Sequence, residues 1–89
     1  MTRDNDPITP DLWFKHLFAS QAARDGGVVR RKVRDMERYV GREFFAAELM
    51  RRGYSAVENG GQVIIFCNAE PLRIAVRPRN SSQELPQIL

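Results

Sequence analysis

YSAVENGGQVIIFC, residues 54–67, places two runs of strand-forming residues on either side of the turn Asn59-Gly60-Gly61. Asn and Gly adopt the positive φ angles that tight hairpins need, so the stretch predicts antiparallel strands over 54–58 and 62–67. In the second run, residues 63–67, the side chains that would point to either face of a sheet are all apolar. Such a run is typical of a strand that is covered on both faces or is central in its sheet.

A third strand is predicted downstream of this hairpin. In residues 72–77 the side chains of Leu72, Ile74 and Val76 alternate with two arginines and an alanine, and Pro78 ends the run. The segment 54–77 therefore predicts a three-stranded meander whose last strand is half exposed. A less regular run, VVRRKV at 28–33, predicts a further strand around residues 28–34.

Upstream of the hairpin the apolar residues follow helical periods. Thr9 and Pro10 are suited to the N-cap and first position of a helix that we expect to extend to about Arg24 and to end at Gly26-Gly27. Its apolar face is predicted to comprise Trp13, Phe14, Leu17, Phe18 and Ala22.

Two further helical segments follow the weaker strand. A short helical turn around residues 36–40 is predicted to be capped by Asp35, and a helix over 42–52 is predicted to end at Gly53. The expected core positions of the second helix are Phe45, Ala46, Leu49 and Met50. Phe44 falls on the opposite side of that helix.

These elements predict a single α+β domain over residues 9–77. It has an N-terminal amphipathic helix, a central helix and a small antiparallel sheet of three to four strands, in the order α-β-α-β-β-β. Residues 1–8 are polar, and residues 78–89 are rich in Asn, Ser, Gln and Pro; they are predicted to be a flexible N-terminus and a flexible C-terminal tail.

Length and composition limit the classes of protein that this chain can be. Its 89 residues form at most one small domain, and 43% hydrophobic with 28% charged residues is ordinary for a globular protein. One cysteine and one histidine exclude an intrachain disulfide and a zinc site built from Cys and His, and no cofactor motif is present. With neither a signal peptide nor a membrane-spanning run, we predict a cytoplasmic protein without membrane association.

The charge distribution gives the strongest functional signal. The net charge is +3, and four cations fall within five residues, with two more arginines close behind. Such a cluster can neutralise several phosphates, whereas acids nearby, such as Asp35 and Glu37, can pair with it instead. The candidate anion-binding residues are Arg30, Arg31, Lys32, Arg34, Arg38 and Arg42.

The sequence thus predicts a small non-catalytic binding or regulatory module that contacts nucleic acid or an acidic protein surface through an arginine-rich face. The alternative is a protein-protein accessory module or a homodimer. Its interface is predicted at Phe44 and at the apolar tail residues Leu85, Ile88 and Leu89. An edge strand such as 72–77 offers a second route to pairing across a two-fold axis.

No catalytic or metal-binding residues are predicted. Cys67 ends the most apolar strand, where cysteine usually behaves as a small buried hydrophobe, and His16 lies at the edge of a helical face. A nucleophilic pair formed by these two residues is the third alternative.

A helix that ends in Gly53-Tyr54, followed by a hairpin with a glycine turn and a further strand, resembles small HicA-type RNA-cleaving toxins over residues 42–77. It resembles double-stranded RNA-binding domains more loosely. The toxin family places its catalytic histidine just after the turn glycine, where this chain has Gln62. The RNA-binding domains place a lysine cluster on a final helix, where this chain has the predicted tail, so we assign the chain to neither family.

Overall fold

A computed structural model describes residues 8–78 and shows an α+β fold, as predicted. The elements in chain order are α1 (Pro10–Phe18), α2 (Gln21–Arg24), β1 (Val28–Lys32), α3 (Val33–Tyr39), α4 (Arg42–Arg52), β2 (Ser55–Asn59) and β3 (Gln62–Phe66). The segments predicted to be flexible, 1–8 and 78–89, lie almost entirely outside the described residues.

The three strands form one antiparallel sheet in the order β1-β3-β2. The hairpin of β2 and β3 is confirmed, and its turn uses Gly60 and Gly61 at φ angles of 59° and 78°. The prediction that residues 63–67 form a central strand is also confirmed, because Ile65 faces Val29 on one side and Ala56 on the other.

The predicted strand over 72–77 is wrong, because these residues form an exposed loop segment. A strand that follows β3 through a short turn must pair beside β3, and β1 and β2 already occupy both sides. The chain stays in register with β1 only as far as Cys67, whose N–H donates to the Gly27 carbonyl over 2.9 Å. The third strand of the sheet is therefore the one predicted around residues 28–34.

The first predicted helix is interrupted. Thr9 caps α1 as expected, since its hydroxyl accepts from the Leu12 N–H over 3.1 Å. However, α1 ends at Phe18, and the Ser20 hydroxyl accepts from the N–H of Ala23 to begin α2. This new start changes the helical phase, so Ala23 is buried and the predicted core residue Ala22 is exposed.

The helix after β1 begins earlier than predicted. Helix α3 starts at Val33, whose N–H donates to the Gly61 carbonyl in the hairpin turn over 2.9 Å. Asp35 therefore lies within the first turn and is not the cap; the N-cap residue, Lys32, makes no side-chain capping bond. This contact places the end of β1 beside the hairpin turn.

Helix α4 has the predicted bounds, 42–52, but only half of the predicted core face is buried. Phe45 and Leu49 are buried, whereas Ala46 is exposed and Met50 is 77% exposed. Both exposed residues line a cleft between α4 and β2, where no further strand from the described part of the chain extends the sheet to cover them.

The helices cover one face of the sheet, and the core lies between the two layers. It consists of Trp13, Phe14, Leu17, Ala23, Val29, Met36, Phe45, Leu49, Val63, Ile65 and Cys67. The rings of Phe14 and Phe45 stack at a centroid distance of 6.3 Å, which joins α1 to α4. Because strand side chains alternate, the other face of the sheet presents the residues between these positions to solvent.

Candidate functional site

The solvent-facing side of β1 carries two of the predicted anion-binding residues. Arg30 and Lys32 are exposed and flank Arg31, which is half-buried on the opposite side of the strand. The guanidinium of Arg31 donates to the Arg30 carbonyl over 2.7 Å. Alternation along the strand therefore divides the basic run into two outward cations and one that folds against its own backbone.

Two further predicted residues continue the basic surface onto α3. Arg34 and Arg38 are exposed, and the Arg38 guanidinium lies 5.4 Å from the centre of the Tyr39 ring. Among residues 8–78, neither forms an ion pair, and the same is true of Arg30 and Lys32. We call Arg30, Lys32 and Arg34 the basic surface, because they are consecutive exposed cations at the β1–α3 junction.

Arg42, the sixth predicted anion-binding residue, is already held by carboxylates of the fold. Its guanidinium donates to Glu37 over 2.7 Å and forms a two-point contact with Glu58. These bonds raise the pKa of Arg42 and lower that of Glu58. The prediction that neighbouring acids would pair with the cluster thus holds for Arg42, which joins α3, α4 and β2.

The cations at the end of α4 are also paired. Glu48 accepts from Arg51 over 2.6 Å and from Arg52 over 2.7 Å, and these bonds lower the pKa of the Glu48 carboxyl. The Arg52 guanidinium also lies 3.9 Å from the centre of the Phe18 ring. These arginines are held by contacts within the helical layer.

Apolar side chains lie next to the basic surface, on the same face of the sheet. In the strand register Arg30 is opposite Ile64, and Val28 is opposite Phe66. Ile64 and Phe66 are only half-buried, because the helices cover the other face of the sheet. The sequence analysis did not predict this combination of cations and apolar side chains. A signal for it was present, because residues 63–67 are apolar at the positions that face both sides of the sheet.

A second feature lies at the opposite edge of the sheet. A cleft of about 580 Å³ opens between α4 and β2, lined by Met36, Arg42, Phe45, Ala46, Leu49, Met50, Tyr54, Ala56, Val57, Glu58 and Val63. Most of this lining is apolar, and the ion pair of Arg42 with Glu58 supplies its charged groups. We call it the β2 cleft.

The predicted protein-interface residues do not form one described surface. Phe44 is 48% exposed, and its ring packs edge-on against Phe14 at a centroid distance of 6.2 Å. Leu85, Ile88 and Leu89 lie outside the described residues. Three exposed aliphatic residues of the described region, Leu72, Ile74 and Val76, lie together in the segment 72–76, and the other exposed apolar residues are scattered along the chain.

Cys67 and His16 differ in accessibility. The thiol side chain is 3% exposed, and burial raises its pKa, whereas His16 is exposed on α1. A raised thiol pKa leaves little thiolate at neutral pH, which opposes nucleophilic reactivity. These features favour the structural interpretation of Cys67.

Residues 8–78 contain no group of three or more His, Cys, Asp or Glu side chains arranged to hold a metal ion. In the same region, no helix has both the length and the apolar character needed to cross a membrane.

No family model matches the chain, and no curated protein or solved structure is significantly similar to it.

Proposed function

We propose that this protein is a small non-catalytic binding module that contacts nucleic acid through the basic surface. One observation carries the proposal: Arg30, Lys32 and Arg34 are exposed at one junction and have no ion pair among residues 8–78. Cations that are not already neutralised gain the most from phosphate, because binding releases counterions without first breaking an internal pair.

The apolar side chains beside these cations favour nucleic acid over an acidic protein surface. Phosphate contacts orient a nucleic acid, whereas an open sheet face with an aromatic residue supports stacking of unpaired bases. Phe66 and Ile64 supply such a face next to Arg30 and Val28. An acidic protein surface needs the cations but makes no use of an aromatic face beside them.

Fluorescence anisotropy with labelled mixed-sequence RNA and DNA oligonucleotides tests the proposal. For three phosphate contacts on a single strand, affinity is expected to fall roughly 20-fold between about 50 and 200 mM salt. The double variant Arg30→Gln/Lys32→Gln is expected to weaken binding and to reduce the slope of log affinity against log salt by about 1.4.

A matched control removes the same charge from the helical layer. Lys15 and Arg24 are exposed on α1 and α2, away from the open sheet face. The variant Lys15→Gln/Arg24→Gln is expected to keep most of the affinity and the full salt slope. Equal losses in the two double variants would show that only net charge matters and would overturn the assignment to the basic surface.

A further inference from the structure

The segment 72–76 has the sequence pattern of a strand but pairs with no strand among residues 8–78. Leu72, Ile74 and Val76 are 44%, 65% and 81% exposed. Both neighbouring positions of β3 are occupied, so a hairpin partner for this segment is excluded within the molecule. These alternating aliphatic residues form an apolar face that remains exposed to solvent.

The chain is turned away from the sheet immediately before this segment. The Asn68 side chain donates to the Gly26 carbonyl over 3.0 Å, and its side-chain oxygen accepts from the Glu70 N–H over 3.0 Å. Pro71 follows and has no N–H to donate to a sheet ladder. Residues 71–78 are all exposed and form neither helix nor strand, and we call residues 72–76 the arm.

We infer that residues 72–76 pair with the β2 edge of a second copy of this chain and place Leu72, Ile74 and Val76 over the β2 cleft. Among residues 8–78, no strand pairs with the outer side of β2, which is five residues long, like the segment. Addition of an extended segment to a free sheet edge is a common mode of peptide recognition.

The β2 cleft provides the apolar complement for this strand. Alternation places the three aliphatic side chains on one side of the added strand, which is the side that the cleft requires. Met50 and Ala46 of α4 lie exposed in the cleft and are covered when the strand adds there. Both residues were predicted to be part of the core face of α4. A strand supplied by a partner explains why they are exposed in the single chain.

Charge selects β2 over β1 as the paired edge. When its aliphatic residues face the cleft, the added strand presents Arg73 and Arg77 to the open face. At the β1 edge they would lie beside Arg30 and Lys32, and like charges on adjacent strands destabilise pairing. On the open face, strand β2 presents Ser55, Val57 and Asn59, none of which is charged. The reciprocal exchange of two arms gives a closed two-fold dimer.

Light scattering coupled to size-exclusion chromatography tests the inference on the full chain. We expect a mass of about 20 kDa, twice the chain mass of 10.2 kDa, that dissociates on dilution. A mass that stays at 10.2 kDa over the whole concentration range would overturn the inference.

Two charged substitutions with matched controls locate the interface. Ile74→Glu in the arm and Met50→Glu in the cleft are each expected to give the monomer, because each buries a carboxylate in the apolar contact. Ala75→Glu, on the other side of the arm, and Ala47→Glu, on α4 outside the cleft lining, are expected to leave the dimer intact. A dimer that survives both Ile74→Glu and Met50→Glu would show that copies associate through another surface.

Mixing the two monomeric variants tests whether the contact lies between copies. The Ile74→Glu chain keeps an intact cleft, and the Met50→Glu chain keeps an intact arm, so their mixture retains one of the two contacts. A species of about 20 kDa in the mixture is expected, with a higher dissociation constant than the wild type. A mixture that stays monomeric when the wild type is dimeric would contradict arm exchange.

Discussion

The two edges of the sheet use their charged residues in opposite ways. At the β1 edge, Arg30 and Lys32 point to solvent and have no ion pair within residues 8–78. At the β2 edge, Glu58 is held by Arg42 beside an apolar cleft. The difference shows that the fold neutralises Arg42 but leaves Arg30 and Lys32 without an ion pair in the described region. Proximity in sequence does not reveal this, because Arg42 belongs to the same basic run.

The largest expected effect comes from the strand that both edges share. Ile65 is fully buried at the centre of β3, and Ile65→Ala is expected to lower the free energy of unfolding by about 2–5 kcal/mol. Both edges should then be lost in one thermal transition, measured by circular dichroism. Ile64→Ala, on the open face, is the control and is expected to cost less. Two separate transitions would indicate that the edges unfold independently.

The second prediction separates the edges functionally. Arg30→Gln/Lys32→Gln is expected to reduce oligonucleotide affinity while leaving the molecular mass unchanged, and Ile74→Glu is expected to change the mass while leaving the salt slope unchanged. Each effect should reach about tenfold in the respective dissociation constant, equivalent to about 1.4 kcal/mol. The measurements are anisotropy and light scattering on the same samples. Loss of both properties in either variant would mean that one surface serves both functions.

An effect of similar size is expected from the hairpin turn that positions β2. Gly61 has a φ angle of 78°, which an L-residue with a side chain adopts only with strain, and a Cβ there would meet no neighbouring atom. Gly61→Ala is therefore expected to cost roughly 1–2 kcal/mol through backbone strain alone, measured by urea denaturation. Gly61→Asn should cost less, because Asn tolerates this conformation better. Equal costs would contradict the backbone explanation.

The smallest effect concerns the ion pair at the β2 edge. Arg42 lowers the Glu58 pKa below its ordinary value of 4.5, chiefly by hydrogen bonding. The folded state therefore binds fewer protons, so the stabilisation is present above pH 4.5 and is lost as the pH falls through the lowered pKa. A double-mutant cycle of Glu58→Gln and Arg42→Gln should give a coupling free energy that fades on acidification. A coupling that does not change with pH would show that the contact is not ionic.

Local sequence patterns predicted most elements of this fold. Helix α4 begins and ends where its helix formers and Gly53 indicate, and the Asn-Gly-Gly turn identifies the hairpin of β2 and β3. These features depend on residues close in sequence, whose backbone preferences do not require the rest of the chain. The break between α1 and α2 was missed because Ser20 competes as a new N-cap inside an otherwise continuous apolar pattern.

The candidate site was only partly predictable. The basic run was evident in the sequence, but the distinction between Arg30 and Arg42 depends on where Glu37 and Glu58 lie in space. The contribution of Phe66 required knowing that one face of β3 is left uncovered. The β2 cleft was not predicted at all, because it depends on how α4 packs beside β2 in space.

The sequence by itself determined the secondary-structure class of most segments, the turn, the basic run and the alternation of residues 72–77, although those last residues form no strand. Only the tertiary structure decided which strands pair, because segments far apart in the chain can each pair with either side of β3. Residues 28–32 occupy the position that the meander assigned to 72–77. Within residues 8–78, that outcome leaves the apolar arm without a paired strand, and it determines which cations stay unpaired and which carboxylates hold Arg42.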